Sequence, residues 1–155
     1  MPTTTWTQSQ VLGRRQVRRV VSIWLNRFAT DRIRRLQMQT ITTSQSNSPL
    51  VTVSAEYGSW TITAVNDEAA ALRLHPGLSL SDAQILVPDL KSHEVDNVAD
   101  RKALDLLADS CERFTPCVAA EANTSGGTAG IFLDISGCEH LFGGEEELLK
   151  ELKSH

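Results

Sequence analysis

Two apolar segments far apart in sequence constrain this chain most. Arg18–Leu25 (RRVVSIWL) reads as a buried strand running straight into an Arg-rich helix over Phe28–Gln37. Ile131–Ile135 (IFLDI) reads as a second short strand, followed by GCEHLFGG. Two such strands joined in one sheet can place carboxylates around a metal pair. Here Trp24 and Asn26 stand at the end of the first, and Ala129 and Gly130 lead into the second. The frame of such a site is legible; its ligands are not.

The 155 residues suit one modest domain, and 41% hydrophobic with 22% charged residues is ordinary for a soluble chain. Aromatics are scarce, so the core must rest on Leu, Val, Ile and Ala. Cys111, Cys117 and Cys138 are odd in number and lack CxxC spacing. They read as reduced thiols of a cytoplasmic protein rather than a disulfide framework. The four histidines are scattered, and none pairs with a cysteine at zinc-ligand spacing, so no metal site and no cofactor are expected. No apolar stretch approaches the ~18–20 residues that span a bilayer.

Charge is unevenly placed. Residues 1–37 carry eight Arg against one acid, Asp31, whereas the remainder carries seven Lys/Arg against eighteen acids. The basic front resembles an organellar transit peptide in composition, but Val20–Leu25 is a better core strand than presequence. Arg27, Arg32, Arg34 and Arg35 are candidate contacts for phosphates or a partner, and equally a solvated helix face.

Along the chain, 1–17 reads as a disordered tail. Thr30–Gln37 is helical with Ile33 and Leu36 on its apolar side. Thr40–Ser48 is a polar loop. Leu50–Ser54 and Trp60–Val65 form a hairpin around the turn Glu56–Gly58. Asp67–Leu74 is Ala-rich and helical. Ser79 and Asp82 match a capping box, and the helix they start ends before Pro88. Lys91–Asp96 is extended or irregular. Asp100–Phe114 is the best helix, with Leu104, Leu107, Ala108, Cys111 and Phe114 on one face. Cys117–Ala120 is a weak strand, the loop over Asn123–Thr128 follows, and Glu145–Lys153 is a last helix with acids first and lysines last. Trp24, Leu141 and Phe142 are read as packed in the core, Asp134 as a structural hydrogen-bonding group, and His140 as a turn residue. The order β-α-β-β-α-α-α-β-β-α gives an α+β class, with the first and last strands in one layer and a small insertion between.

Four segments, VVSIWLNRFATDRI, ITAVNDEAAALRLHPGLSLSDAQILVPDL, CERFTP and IFLDISGCEHLFGGEEELL, occur in this order. In them the chain resembles the Y-family of translesion DNA polymerases, and more closely its ImuB-type branch, over roughly residues 18–153. The resemblance implies a partial Y-family palm, a ferredoxin-like sheet with packed helices, carrying an inserted fingers subdomain. The implied boundaries are 18–48 for the first palm strand, helix and linker, 49–95 for the fingers-like unit, and 96–155 for the palm helix, strands and final helix. The remaining palm, thumb and little finger lie beyond His155.

In active members three palm carboxylates hold two Mg²⁺ ions that clamp the attacking oxygen and the triphosphate. The matching positions here are Trp24, Ala129 and Gly130, with Asn26 at a further position that is normally acidic. The Tyr and Arg that grip the triphosphate fall on Asp67 and Ala70, while Asn66 is retained. Asp134, ~13 Å along the strand from Gly130, Asp31 and Glu121 do not converge by spacing. The resemblance therefore implies a non-catalytic adaptor in bacterial mutagenic DNA repair. Its partners would be an ImuA-type protein, an error-prone replicative-type polymerase and the sliding clamp, through contacts that the resemblance does not locate on any residue here. No clamp-like Gln-x-x-Leu-x-Phe segment is present. DNA binding is expected to be weak. The alternatives are an active nucleotidyltransferase and a truncated product with an open sheet edge.

Overall fold

The computed structural model describes residues 18–40, 48–123 and 127–155. The tail expected over 1–17, most of the polar loop and part of the NTSGGT segment lie outside them. The chain forms strands β1 (Val20–Leu25), β2 (Leu50–Glu56), β3 (Ser59–Val65), β4 (Lys91–Glu94), β5 (Val118–Asn123) and β6 (Thr128–Asp134). Its helices are α1 (Phe28–Thr40), α2 (Asp67–Ala71), α3 (Leu80–Leu86), α4 (Asn97–Cys111) and α5 (Glu145–Ser154), with a 3-10 turn over Glu139–Leu141.

The α+β class and the insertion are as expected. Two three-stranded sheets form, one in the order β1-β6-β5 and one in the order β3-β2-β4. In the first, β6 runs antiparallel to both neighbours. Its inner face, with Ala129, Ile131 and Leu133, packs with Leu104, Cys111 and Phe114 from the α4 region and Leu148 of α5. The second sheet buries Val51, Val53 and Ile62 against Ala69, Leu74, Ala83 and Leu90. Each sheet thus builds its own core.

Local chemistry sets the elements. Tyr57 and Gly58 both have positive φ, the geometry of a two-residue hairpin turn matched to strand twist. Ser79 accepts from the Asp82 amide and donates to its carboxylate, closing the start of α3. Asn66 caps α2 by accepting from the Ala69 amide; it also accepts from the Leu50 amide and donates to the Ser48 carbonyl. That one buried side chain fastens the start of β2 to the end of β3.

Several boundaries move. Of the two alternatives for Lys91–Asp96 the extended one holds: Lys91–Glu94 is a strand parallel to β2, polar and, among the described strands, at the edge of its sheet, so no apolar alternation marks it. The Ala-rich helix stops at Ala71, because the Leu72 amide folds back onto Ala69 and Arg73 takes positive φ. The best helix starts earlier, at Asn97, capped by the Asp96 carboxylate. Phe114 follows it yet is buried. Leu141 is exposed, not a core anchor, because the 3-10 turn points it outward, while Phe142 stacks on Phe114 at 5.5 Å between ring centroids. Leu36 is likewise exposed on α1, whereas Ile33 is buried as expected.

Candidate functional site: the open face of the first sheet

Side chains alternate across β1. Val21, Ile23 and Leu25 turn towards the core; Val20, Ser22 and Trp24 turn to the open face. Trp24 is 62% exposed, correcting its reading as a core residue. Among the described residues its strand is uncovered on this face and has a neighbour on one side only, so no described layer packs over the indole.

Ala129 and Gly130 do not precede the second strand but lie within it. Trp24 pairs across with Gly130, and Leu25 with Ala129. Ala129 is buried in the core cluster, so the two neighbouring positions face opposite sides of the sheet. A methyl group on Gly130 would sit 3.6 Å from Trp24 Cε3 and 3.7 Å from Phe132 Cε2. The indole therefore lies beside the bare glycine backbone. On the other side Gly130 pairs with Glu121 of β5. The row Trp24–Gly130–Glu121 crosses the open face, with one carboxylate at its far end. Spacing along the chain missed Glu121, because hairpin register, not sequence distance, brings it into line. Asn26 lies in the exposed turn after β1.

Asp134 sits at the other end of β6, opposite Val20. Its carboxylate accepts from the Ser136 amide at 3.0 Å. The Ser136 hydroxyl and amide, aided by the Arg18 charge, hold it below the usual carboxylate range. This is the structural role expected of it.

A Trp, a Gly and a core Ala offer no side-chain oxygen, so this donor set does not fit a pair of Mg²⁺ ions, which take oxygen ligands. Among the described residues no group of three or more His, Cys, Asp or Glu side chains gathers where a metal could be held.

The arginines are mostly engaged. Arg27, in the turn after β1, is ion-paired with Asp67, the first residue of α2. Arg32 bonds Asp100 of α4 at 2.5 Å in a half-buried pair. Arg34 lies 3.5 Å from Asp31 of its own helix. Arg35 is exposed and borders an apolar groove of about 210 Å³ with Leu25, Phe28, Leu36 and Leu107. Ala70 lies within α2, one turn beyond Asn66, whose carbonyl receives its amide.

The chain as a whole has similar proteins. No protein-family model matches the chain. Protein ImuB of Caulobacter vibrioides, in strains NA1000 / CB15N and ATCC 19089, is 48% identical to it over 81 residues, 52% of this chain. An insertion ternary complex of Dbh DNA polymerase superposes with a TM-score of 0.69 at 16% identity, over 87% of this chain and 38% of that one. DinB from Sulfolobus solfataricus gives 0.67 at 15% identity, over 87% of this chain and 36% of that one. The chain is a partial ImuB-like domain with the Y-family fold. It spans 17% of the length of the ImuB proteins it matches. The ImuB-like domain thus places Trp24 and Gly130 side by side on its first sheet, and ties that sheet to its second through Arg27 and Asp67. Among the described residues no helix is long and apolar enough to cross a membrane.

Proposed function

We propose that this chain is part of a non-catalytic Y-family homologue that serves as an adaptor in translesion synthesis and mutagenic DNA repair. The pairing of Trp24 with Gly130 carries the reading. It puts an indole and a bare backbone at the centre of the open face, where the resemblance would place metal-binding carboxylates. Asp67 supports it from the other side. A carboxylate at the position matched to the triphosphate grip repels a triphosphate, and it already engages Arg27. The 48% identity to a protein named ImuB supports a setting in damage tolerance; an ImuA-type protein, an error-prone polymerase and the sliding clamp are the partners that the resemblance implies. The same losses make the site residues Trp24, Asn26, Ala129, Gly130, Asp67 and Ala70 degenerate. With most of the helix arginines paired and the body acidic, DNA binding is weak.

Primer extension by the protein that carries this domain, with Mg²⁺ or Mn²⁺, tests the chemistry. No incorporation is expected, and template-dependent incorporation would establish a nucleotidyltransferase instead. Damage-induced mutagenesis in cells lacking the gene tests the adaptor role. Mutagenesis should fall without the gene and return with the wild-type protein; unchanged mutagenesis overturns the role.

A further inference from the structure

The two halves of the molecule leave a space where they meet. A cavity of about 170 Å³ is walled in part by Thr52 and Thr63 of the second sheet, Ala122 and Thr128 of the first, Phe28 at the start of α1 and Asp100 of α4. Phe28 and Ala122 are apolar; the others carry hydroxyls or a carboxylate. Their hydrogen bonds do not close among themselves. The Thr52 and Thr63 hydroxyls lie 2.8 Å apart and share one bond. Each hydroxyl brings a proton, so one proton of the pair is left to donate elsewhere. Asp100 Oδ1 accepts from Arg32 Nε, and an ionised carboxylate has about four acceptor sites. The Thr128 hydroxyl oxygen is buried and has no hydrogen-bond partner among the described residues.

A buried hydroxyl without a partner is costly, and native proteins relieve the cost with ordered water where there is room. Room is ample here, since one water needs only ~10–15 Å³ of such space. Chemistry decides as well as room. A cavity lined by apolar side chains alone stays dry, whereas a buried water needs polar partners. This cavity offers polar side chains from β2, β3, β6 and α4. We propose that it is an internal hydration site, where ordered water joins Thr128 of the first sheet to the Thr52–Thr63 pair of the second and to Asp100. Water accepts the spare threonine proton, donates to the free carboxylate sites and pairs with the Thr128 hydroxyl. Water on this side of Asp100 complements Arg32, which reaches the carboxylate from the neighbouring groove. Thr52, only 1% exposed, is polar because it borders a solvated seam rather than a core. The two halves, each with its own core, meet across that seam.

Magnetic relaxation dispersion of solvent oxygen detects water held inside a protein, and it tests this on the full chain. Long-lived internal water is expected in the wild type. Thr128→Val keeps the side-chain shape and removes the hydroxyl. It should therefore reduce that signal and lower the urea midpoint, because the water loses a partner. Thr128→Ser, which keeps the hydroxyl, should retain the signal. No long-lived water in the wild type overturns the proposal, as does a Thr128→Val variant with the full signal. A Thr128→Val variant with a higher urea midpoint overturns it too, because an orphaned hydroxyl in a dry cavity is better removed.

Discussion

Arg27, at the end of the first sheet, holds Asp67, at the first turn of the helix that follows the second sheet's hairpin. The pair bridges the two cores. Asp67 is largely exposed and Arg27 about a third exposed, so water and salt screen the attraction. A double-mutant cycle of Arg27→Met and Asp67→Asn in urea should give a coupling below about 1 kcal/mol. That coupling should shrink further as salt rises. A coupling several times larger would mean the bridge organises the interface.

Two glycines of the same strand region should behave in opposite ways. Gly130 meets only ordinary contacts when given a Cβ, and glycine inside a strand is the more flexible choice in the unfolded chain. Gly130→Ala should raise stability by about 0.5–1 kcal/mol. Gly127 has φ +60, and a Cβ there would lie 2.5 Å from Ala64 Cβ and 3.3 Å from Ala29 Cβ. Gly127→Ala should lower stability by about 1–3 kcal/mol. Urea midpoints of the two variants, measured side by side, check both signs.

Asn66 is buried and serves two amides and one carbonyl. Asn66→Ala removes a helix cap and leaves the Leu50 amide without its acceptor. The expected loss is about 2–3 kcal/mol, read from chemical denaturation. Asn66→Asp keeps the acceptor for both amides, and its protonated form can still donate to Ser48, so in acid it should cost less than Asn66→Ala, an advantage that shrinks as the buried carboxyl ionises against the Ser48 carbonyl. An Ala variant no worse than the Asp variant in acid would contradict the account.

Asp134 sets a pH dependence. Its folded-state pKa is lowered by the Ser136 hydroxyl and amide. Its contribution is therefore fully present above the unfolded-state value of ~3.9 and is lost as pH falls through the lowered folded value. Asp134→Asn should flatten the acid side of the stability profile and leave the neutral side parallel to wild type. Denaturation midpoints across the acid range test the difference.

Much of this fold was legible because its signals are local. The Ser79–Asp82 box, the Tyr57–Gly58 turn and the apolar stripe of α4 each sit within a few residues of their partners. What escaped depends on neighbours. VVSIWL is almost uniformly apolar, so nothing in it says that only alternate residues reach a core; that follows from only one face of its sheet packing on the core among the described residues. Lys91–Glu94 has no apolar period and is a strand through its pairing with β2. The degenerate site positions were legible by resemblance. Their geometry was not, since Glu121 joins Trp24 through two strand registers, and Ala129 turns to the core beside a Gly130 that does not.

The first and last strands of the second sheet lie side by side and run parallel. The Lys91 amide donates to the Pro49 carbonyl at 3.0 Å, and the Val95 amide reaches Val53. The hairpin and helices between them are thus enclosed by a parallel pair whose two ends are each pinned by a backbone bond. The segment they enclose is not detachable, because its Asp67 holds Arg27 and its Ala64 lies against Gly127 before β6. A change of size at either of those two residues is therefore felt in the other half of the molecule.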